Sequence, residues 1–418
     1  MAAQTAGPMA AQTEAPSTQQ PALARLIGIG IEEFARDYWG QQALLTPAGT
    51  AGDRGFGDLL DADAVDELVS ERGLRTPFLR VARDGSTIGD SSFTAPGGVG
   101  ATIGDQVSDD SLVRLFAEGA TMVLQALHRV WPPVLAFCQR LAVDLGHPVQ
   151  ANAYVTPPQN QGFSNHYDVH DVFVLQISGE KRWVIHAPVH PAPLRHQPWT
   201  DRRRAVQRRA TEEPIIDTVL RPGDALYLPR GFLHAATALG GVSTHLTLGV
   251  HSWTRYGLAE QLLQLALRAV ADDPEARASL PLGVDLSEPG SLVEDLELIR
   301  GRLITALQEA EPASLASVLA PLTRSSQRAA PIGPLRQLRT ADELTELTPL
   351  LVRPYLACSL SERADGGLTV SSRAGEVIVA AGERDAFVSW WHAGGGTTGD
   401  LGADLARMLV LTGLAVTG

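Results

Sequence analysis

In the run N-H-Y-D-V-H-D, His166 and Asp168 stand two residues apart, a spacing that points both side chains to one face of a strand. Further on, R-P-G-D-A-L-Y-L-P-R-G-F-L-H-A-A leads from a tight Pro-Gly turn through a strand to His234. Two imidazoles and one carboxylate on one side of a barrel form the facial triad that holds non-haem iron(II). That set leaves three positions open for a bidentate cosubstrate and dioxygen. Zinc more often takes a closed tetrahedral set or a single open position. An H-x-D pair alone is weak evidence, as is one histidine after a strand; their setting in strand-rich sequence makes them candidate catalytic and metal-binding residues.

That setting extends from Val149 to His251, where V-Q-A-N-A-Y-V-T-P, D-V-F-V-L-Q-I-S, K-R-W-V-I-H-A, D-T-V-L-R-P-G-D-A-L-Y-L-P and T-H-L-T-L-G-V-H alternate with turn signals. Short strands punctuated by Gly and Pro predict a β-barrel or sandwich. Upstream, apolar spacing around Phe34, Tyr38 and Trp39 predicts a helix from Ala22 to about Leu45, with further helices at Asp61–Arg72 and Ser111–Leu145, the latter interrupted by Pro132 and Pro133. After Arg255, G-L-A-E-Q-L-L-Q-L-A-L-R-A-V and S-L-V-E-D-L-E-L-I-R-G-R-L-I-T-A-L-Q-E-A carry helical apolar faces. A Ser/Arg/Pro stretch near Arg324–Pro334 reads as a linker, and the rest as a small α+β unit with a hairpin at L-T-V-S-S-R-A-G-E-V-I-V-A-A-G.

Composition bounds the class. The length of 418 residues predicts two or three units. No window is apolar enough to span a membrane. The first 21 residues, rich in Ala, Gln, Thr and Pro and repeating M-A-A-Q-T, read as a disordered tail without signal-peptide features. Two cysteines far apart, Cys138 and Cys358, argue for a reducing compartment, hence a cytoplasmic location, and against a structural zinc site. A net charge of −13 disfavours a sequence-independent nucleic-acid binder. Of the 34 basic residues, the only lysine is Lys181.

The run N-H-Y-D-V-H-D-V-F-V-L-Q-I-S-G-E-K-R-W and the later L-R-P-G-D-A-L-Y-L-P-R-G-F-L-H resemble the JmjC-type 2-oxoglutarate oxygenases, in particular their ribosomal-oxygenase, cupin-like branch. The segment I-E-E-F-A-R-D-Y-W-G-Q-Q-A-L-L is similar to that branch's opening helix, and the resemblance is specific over Glu32–His251. It implies a double-stranded β-helix, a jelly roll, in which His166, Asp168 and His234 bind Fe(II). By the same resemblance Lys181, two positions before Trp183, anchors the distal carboxylate of 2-oxoglutarate, and Asn152, Tyr154 and Thr247 are further cosubstrate contacts. A compact ammonium in a chain that otherwise uses arginine fits a size-limited carboxylate pocket. This chain has Gly249 where some relatives carry a hydroxyl residue. His170, Asp171, His186 and His245 are expected to be structural or supporting, and the basic stretch Arg202–Arg209 a solvated loop, with guidance of an acidic or RNA-associated substrate as the alternative.

The resemblance further implies an α+β multidomain chain: a catalytic β-helix with N-terminal helices over 22–254, a helical dimerisation region over 255–328, and a winged-helix-like unit over 329–418. Ala330–Gly418 holds seven arginines against ten acidic residues, so direct DNA binding is not expected. The implied activity is hydroxylation by O2 of a protein side chain, an arginine or histidine of a ribosomal protein, by a homodimer. The alternatives are a hydroxylase of a small molecule, a non-enzymatic cupin, and a zinc-dependent isomerase.

Overall fold

A computed structural model describes residues 21–50, 55–83, 85–160, 163–326 and 328–417, so residues 1–20 of the expected tail lie outside it. Two compact units are present, one over Thr18–Ser252 and the other containing Trp253–Gly418.

The first unit contains β1 (Leu44–Thr46), β2 (Leu79–Arg83), β3 (Ser86–Ile88), β4 (Thr94–Ala95), β5 (Gln106–Val107), β6 (Thr121–Leu124), β7 (Val149–Thr156), β8 (Asp171–His186), β9 (Ile216–Leu220), β10 (Ala225–Leu228) and β11 (Leu233–Val250). Its main sheet runs β1-β10-β8-β11-β7-β6-β2-β3, with β9 also on β8, while β4 and β5 pair separately. The two long strands each work in halves. Asp171–Gln176 pairs with the end of β11, from Val250 back to His245, and Lys181–His186 pairs with its beginning, from Ala238 back to Leu233. The register shifts between Leu239 and Thr244. Opposite that irregularity Gly179 adopts φ +64°, where a Cβ would collide with the Val242 carbonyl oxygen, so only glycine fits. Antiparallel strands that change partners midway are the double-stranded β-helix architecture.

Alternation along β8 separates two jobs. Phe173 and Leu175 join Ala151, Ala153, Val155, Leu246, Leu248 and Val250 in an outer core with Phe34, Phe137 and Leu141 of the helices. Val172, Val174, Trp183 and Ile185 face the opposite way, packing with Leu220, Leu226 and Leu228. Burial on both faces is why D-V-F-V-L-Q-I reads as a continuous apolar run instead of an alternating one. The opening helix docks aromatics as its sequence predicts: the Phe34 ring lies 5.0 Å from that of Tyr227 in an edge arrangement, and Trp39 stacks on Tyr227 at 5.8 Å. Burying Phe34, 2% exposed, stabilises the fold by about 2 kcal/mol.

Several expectations are corrected. The helix read from Ala22 to Leu45 is two pieces, Ala24–Ile27 and Ile31–Tyr38, broken by Gly28 at φ +59°, and its last residues form β1. The segment read as one helix over Ser111–Leu145 contains helices Asp109–Ala117, Leu127–Val130 and Pro132–Leu145, with strand β6 between the first two. There T-M-V-L pairs with both β2 and β7, and tertiary pairing overrides a helix-compatible apolar pattern. D-V-F-V-L-Q-I-S and K-R-W-V-I-H-A are one strand, because Gly179 bends β8 without ending it. His234 follows strand β10, as read, and stands at the start of the next strand, β11, while His166 lies in the loop before β8, held by an isolated bridge.

In the second unit, helices Arg255–Ala271, Val293–Gln308 and Pro312–Ser326 precede Pro334–Asp342, β12 (Pro349–Val352), β13 (Cys358–Glu362), β14 (Leu368–Ser372), β15 (Gly375–Val379), helix Arg384–Ala393, β16 (Gly395–Thr397), helix Ala403–Leu411 and β17 (Ala415–Val416). The expected hairpin is β14–β15. The expected linker is shorter than read, since Arg324–Ser326 belong to a helix. Phe387, Trp390, Trp391, Leu350 and Leu409 build a core around the strands. Ala266 is the one buried residue described in the first three helices, while Leu258, Leu263, Leu267, Leu296 and Ile304 are exposed.

Candidate metal centre

Three backbone contacts draw the candidate ligands together. His166 N–H donates to the His234 carbonyl at 3.3 Å, and His234 N–H returns the bond to His166 at 2.9 Å. Asp168 C=O accepts from Gly231 N–H at 3.0 Å. Gly231 sits at φ +92°, where a Cβ would come within 2.6 Å of the His190 carbonyl oxygen, so the glycine of P-R-G-F is needed for the turn that meets Asp168. The loop carrying the H-x-D pair is thereby closed onto the start of β11.

As a result, one donor atom from each of His166, Asp168 and His234 lies within 4.8 Å of the others. Asp168 Oδ2 is 3.7 Å from His234 Nε2, and the two imidazole centroids are 4.4 Å apart. His166 Nδ1 lies 2.7 Å from the Ser164 carbonyl oxygen and His234 Nδ1 3.1 Å from that of Phe232. A carbonyl only accepts, so each Nδ1 carries the proton and each Nε2 keeps its lone pair for a metal. Burial, reinforced by His166, lowers the His234 pKa to about 4, so this imidazole is neutral at physiological pH. Burial works against the Asp168 carboxylate, yet His170, His234, His166 and Arg80 outweigh it and keep its pKa below the usual value. The site therefore offers two Nε2 atoms and one carboxylate, a donor set that fits a divalent first-row metal with open positions.

The cavity beside these groups is lined by Thr121, Tyr154, Lys181, Trp183, His245 and Thr247 among others. Lys181 is 3% exposed and donates to Thr156 Oγ1 at 2.9 Å; Thr121 Oγ1 in turn donates to Thr156 Oγ1 at 3.3 Å. Burial lowers the Lys181 pKa to about 7, the signature of an ammonium without a counter-anion. The indole Nε1 of Trp183 and Nδ1 of His245 are buried with no hydrogen-bond partner among the described residues. Such orphaned polar atoms around one lysine suit a cavity shaped for a polar anion.

The other sequence candidates fall into place unequally. Tyr154 and Thr247 line the cavity. Asn152 lies opposite Thr247 in the β7–β11 ladder, but its Oδ1 accepts from Ala126 N–H at 3.0 Å, holding that residue in a left-handed turn. Its NH2 group and one Oδ1 lone pair remain for another contact. Gly249 is packed against His170: a Cβ there would come 2.7 Å from the ring, which leaves no room for a hydroxyl residue. Asp171 is structural, accepting from Arg230 N–H at 2.7 Å and Ser252 Oγ at 2.9 Å, and His186 meets the Glu212 carbonyl at 3.2 Å. His245, read as supporting, instead lines the cavity, stacked on Tyr154 at 4.9 Å.

Sequence reading missed Thr156, Thr121 and Arg80. Thr156 shares the two-residue period of Asn152 and Tyr154 and was available from that signal. Thr121 and Arg80 lie on β6 and β2, which were not foreseen; the Arg80 guanidinium sits 5.2 Å from the Phe163 ring centroid beside Tyr154.

A β-helix of long antiparallel strands with a His-Asp-His set beside its inner cavity defines a cupin-like fold with a candidate metal site. Residues 133–258 match the family model described as the JmjC domain. The chain is 36% identical over 173 residues to ribosomal oxygenase 1 of Rattus norvegicus, covering 40% of this chain and 28% of that protein. It is 31% identical over 273 residues to the bifunctional lysine-specific demethylase and histidyl-hydroxylase NO66 of Drosophila persimilis, covering 63% of this chain and 36% of that protein. The chain thus spans about a third of the length of these curated relatives. In fold it is similar to the Escherichia coli ribosomal oxygenase YcfD, with a TM-score of 0.55 at 18% identity over 93% of this chain and 98% of that one. A structure of YcfD in complex with cobalt and 2-oxoglutarate aligns with a TM-score of 0.55 at 17% identity, covering 94% of this chain and 99% of that one.

Proposed function

We propose that this protein is an Fe(II)- and 2-oxoglutarate-dependent oxygenase that hydroxylates a protein side chain, with an arginine or histidine of a ribosomal protein as the substrate. The observation that carries the reading is the convergence of His166, Asp168 and His234 donors within 4.8 Å beside a cavity that also holds a buried, unneutralised lysine. Similarity to proteins named ribosomal oxygenase and histidyl-hydroxylase supports the substrate class.

His166, Asp168 and His234 would hold the iron, which with 2-oxoglutarate and O2 supplies the oxidising power for C–H hydroxylation. The residues of this chain bind and orient. The Nδ1–H bonds to Ser164 and Phe232 fix both imidazole planes before metal arrives. Lys181 takes the distal carboxylate of the keto acid as a charge-assisted hydrogen bond, while Thr156 holds the ammonium in place. Burial, followed by the Asp168 charge, raises the Tyr154 pKa, which keeps its phenol a neutral donor beside the cosubstrate. Thr247 lines the same wall, and Asn152 stabilises it through the Ala126 turn. Val172, Val174 and Trp183 exclude water from the reacting groups.

In the second unit we assign 255–328 to homodimerisation, supported by its exposed leucines, and 329–418 to a winged-helix-like scaffold whose net negative charge disfavours DNA. The test is anaerobic loading with Fe(II) followed by addition of 2-oxoglutarate, O2 and ribosomal proteins. Succinate release coupled to one added oxygen atom on a ribosomal protein is expected; an absence of both iron and 2-oxoglutarate binding ends the reading.

A further inference from the structure

The connection between β8 and β9 carries six arginines, Arg195, Arg202, Arg203, Arg204, Arg208 and Arg209, against three acids, Asp201, Glu212 and Glu213, in an otherwise acidic chain. Arg209 is neutralised by Glu212 at 2.9 Å. Arg195, Arg203, Arg204 and Arg208 are exposed and have no ion-pair partner among the described residues. Charges far away on the surface do not cancel them, because the screening length at physiological ionic strength is about 8 Å.

This patch is not a loose loop. Residues Arg203–Arg209 form a short helix whose Val206, 1% exposed, packs with Tyr167 and Leu233. Tyr167 stands between His166 and Asp168, and Leu233 precedes His234, so the anchor of the basic face is the same chain that carries the metal ligands. The Tyr167 hydroxyl adds a bond to the Gln197 carbonyl at 3.0 Å. Trp199 extends the surface inward, its ring 6.4 Å from that of His166, and the Arg203 guanidinium lies 5.1 Å from the Trp199 ring centroid.

We propose that this face is a docking surface for RNA, gripping the phosphate backbone of an unpaired segment and bringing it beside the metal centre. From Arg203 to Arg208 the helix rises only about 7.5 Å, a density of fixed positive charge that matches phosphates spaced every few ångströms along a strand. Guanidinium forks pair with phosphate in bidentate fashion, and the Trp199–Arg203 stack offers planar surface to an unstacked base. An acidic polypeptide matches the sign of charge but offers no base to that stack. The inference deepens the oxygenase reading, and rests on it only in identifying ribonucleoprotein as the source of the RNA; the side chain to be oxidised would then be presented on an RNA-bound protein.

The test uses full-length, metal-free protein without 2-oxoglutarate and a short fluorescein-labelled single-stranded RNA, read by anisotropy across a salt series. Four phosphate contacts predict that log K falls by about 3 per tenfold rise in salt. R204Q/R208Q, at two exposed positions outside the cavity, should bind more weakly with roughly half that slope, and R204E/R208E should bind at least tenfold more weakly with a slope no steeper. Unchanged thermal melting of the Gln variant separates lost binding from lost folding. Binding that is independent of salt, or variants that bind as wild type does, would overturn the proposal. So would poly-glutamate that displaces the RNA at equal charge concentration, which would make an acidic protein the partner. Succinate formation is measured in parallel: its absence with intact RNA binding sinks the oxygenase reading alone, and its presence without RNA binding sinks this one alone.

Discussion

Replacing Lys181 with Met removes a charge while retaining most of the side-chain volume, and it separates cosubstrate binding from metal binding. The ammonium is 3% exposed with Thr156 Oγ1 as its hydrogen-bond partner, so a keto-acid carboxylate delivered there in the variant would be desolvated without compensation. Breaking one side of a buried ion pair costs about 3 kcal/mol, roughly a 150-fold rise in the Kd for 2-oxoglutarate. Lys181 contributes no donor to the metal set, so Fe(II) affinity should change by less than about threefold. Both constants are measurable by anaerobic calorimetry. The pH dependence supplies a second arm. Free protein loses the Lys181 proton as pH rises through about 7. Bound carboxylate holds that proton, so wild-type binding takes one up and affinity falls by as much as about tenfold per unit above that point. Lys181→Met should show no such slope. Equal losses of iron and 2-oxoglutarate affinity, or pH-independent wild-type binding, would refute the assigned role.

Asp168→Asn keeps the shape of the side chain but removes the anion; Fe(II) affinity should fall at least about tenfold, read by metal titration, and because the folded protein holds this carboxylate's pKa below the usual value, thermal stability without metal should fall slightly at neutral pH. Gly249→Ala forces a contact with His170 and should cost about 1–3 kcal/mol in urea unfolding. The double variant with His170→Ala should recover most of that loss, and additive effects would show that the ring is not what excludes a side chain. Gly179→Ala meets both a left-handed φ and the Val242 carbonyl. A loss of more than about 2 kcal/mol is expected, with 2-oxoglutarate affinity suffering more than Fe(II) affinity because Lys181 lies two residues beyond.

The residues of the candidate metal set stood out because their side-chain chemistry is scarce and the spacing of the first two is local. H-x-D needs only a short loop, and the Pro-Gly-Asp turn announces the strand that leads to the second histidine. Lys181 stood out by composition alone. What could not be read was whatever depends on pairing between distant segments. T-M-V-L at 121–124 has no local mark of a strand, and its strand identity comes from lying between β2 and β7. Thr121 and Arg80 were lost with those two strands. His245 was misjudged for a different reason. It stands two residues before Thr247, so the alternation that put Thr247 on the inner face put His245 there too, and the period was not followed to its end.

The length of β8 and β11 explains how few segments can furnish the whole centre. Val172 and Trp183 line one cavity, yet on a straight strand their separation would be about 36 Å. His234 and Thr247 share the same cavity and would be about 43 Å apart. Both strands must therefore turn back within their own length, and the irregularities that let them do so face each other, Gly179 on β8 and the register shift after Leu239 on β11. One half of β11 then presents His234 to the candidate metal site while the other presents His245 and Thr247 to the remaining wall. One half of β8 begins just beyond Asp168 and the other presents Lys181. The candidate metal ligands and the candidate carboxylate anchor are thus linked by the same two bends, so a change at Gly179 acts on the distance between the two subsites without touching a candidate ligand at either.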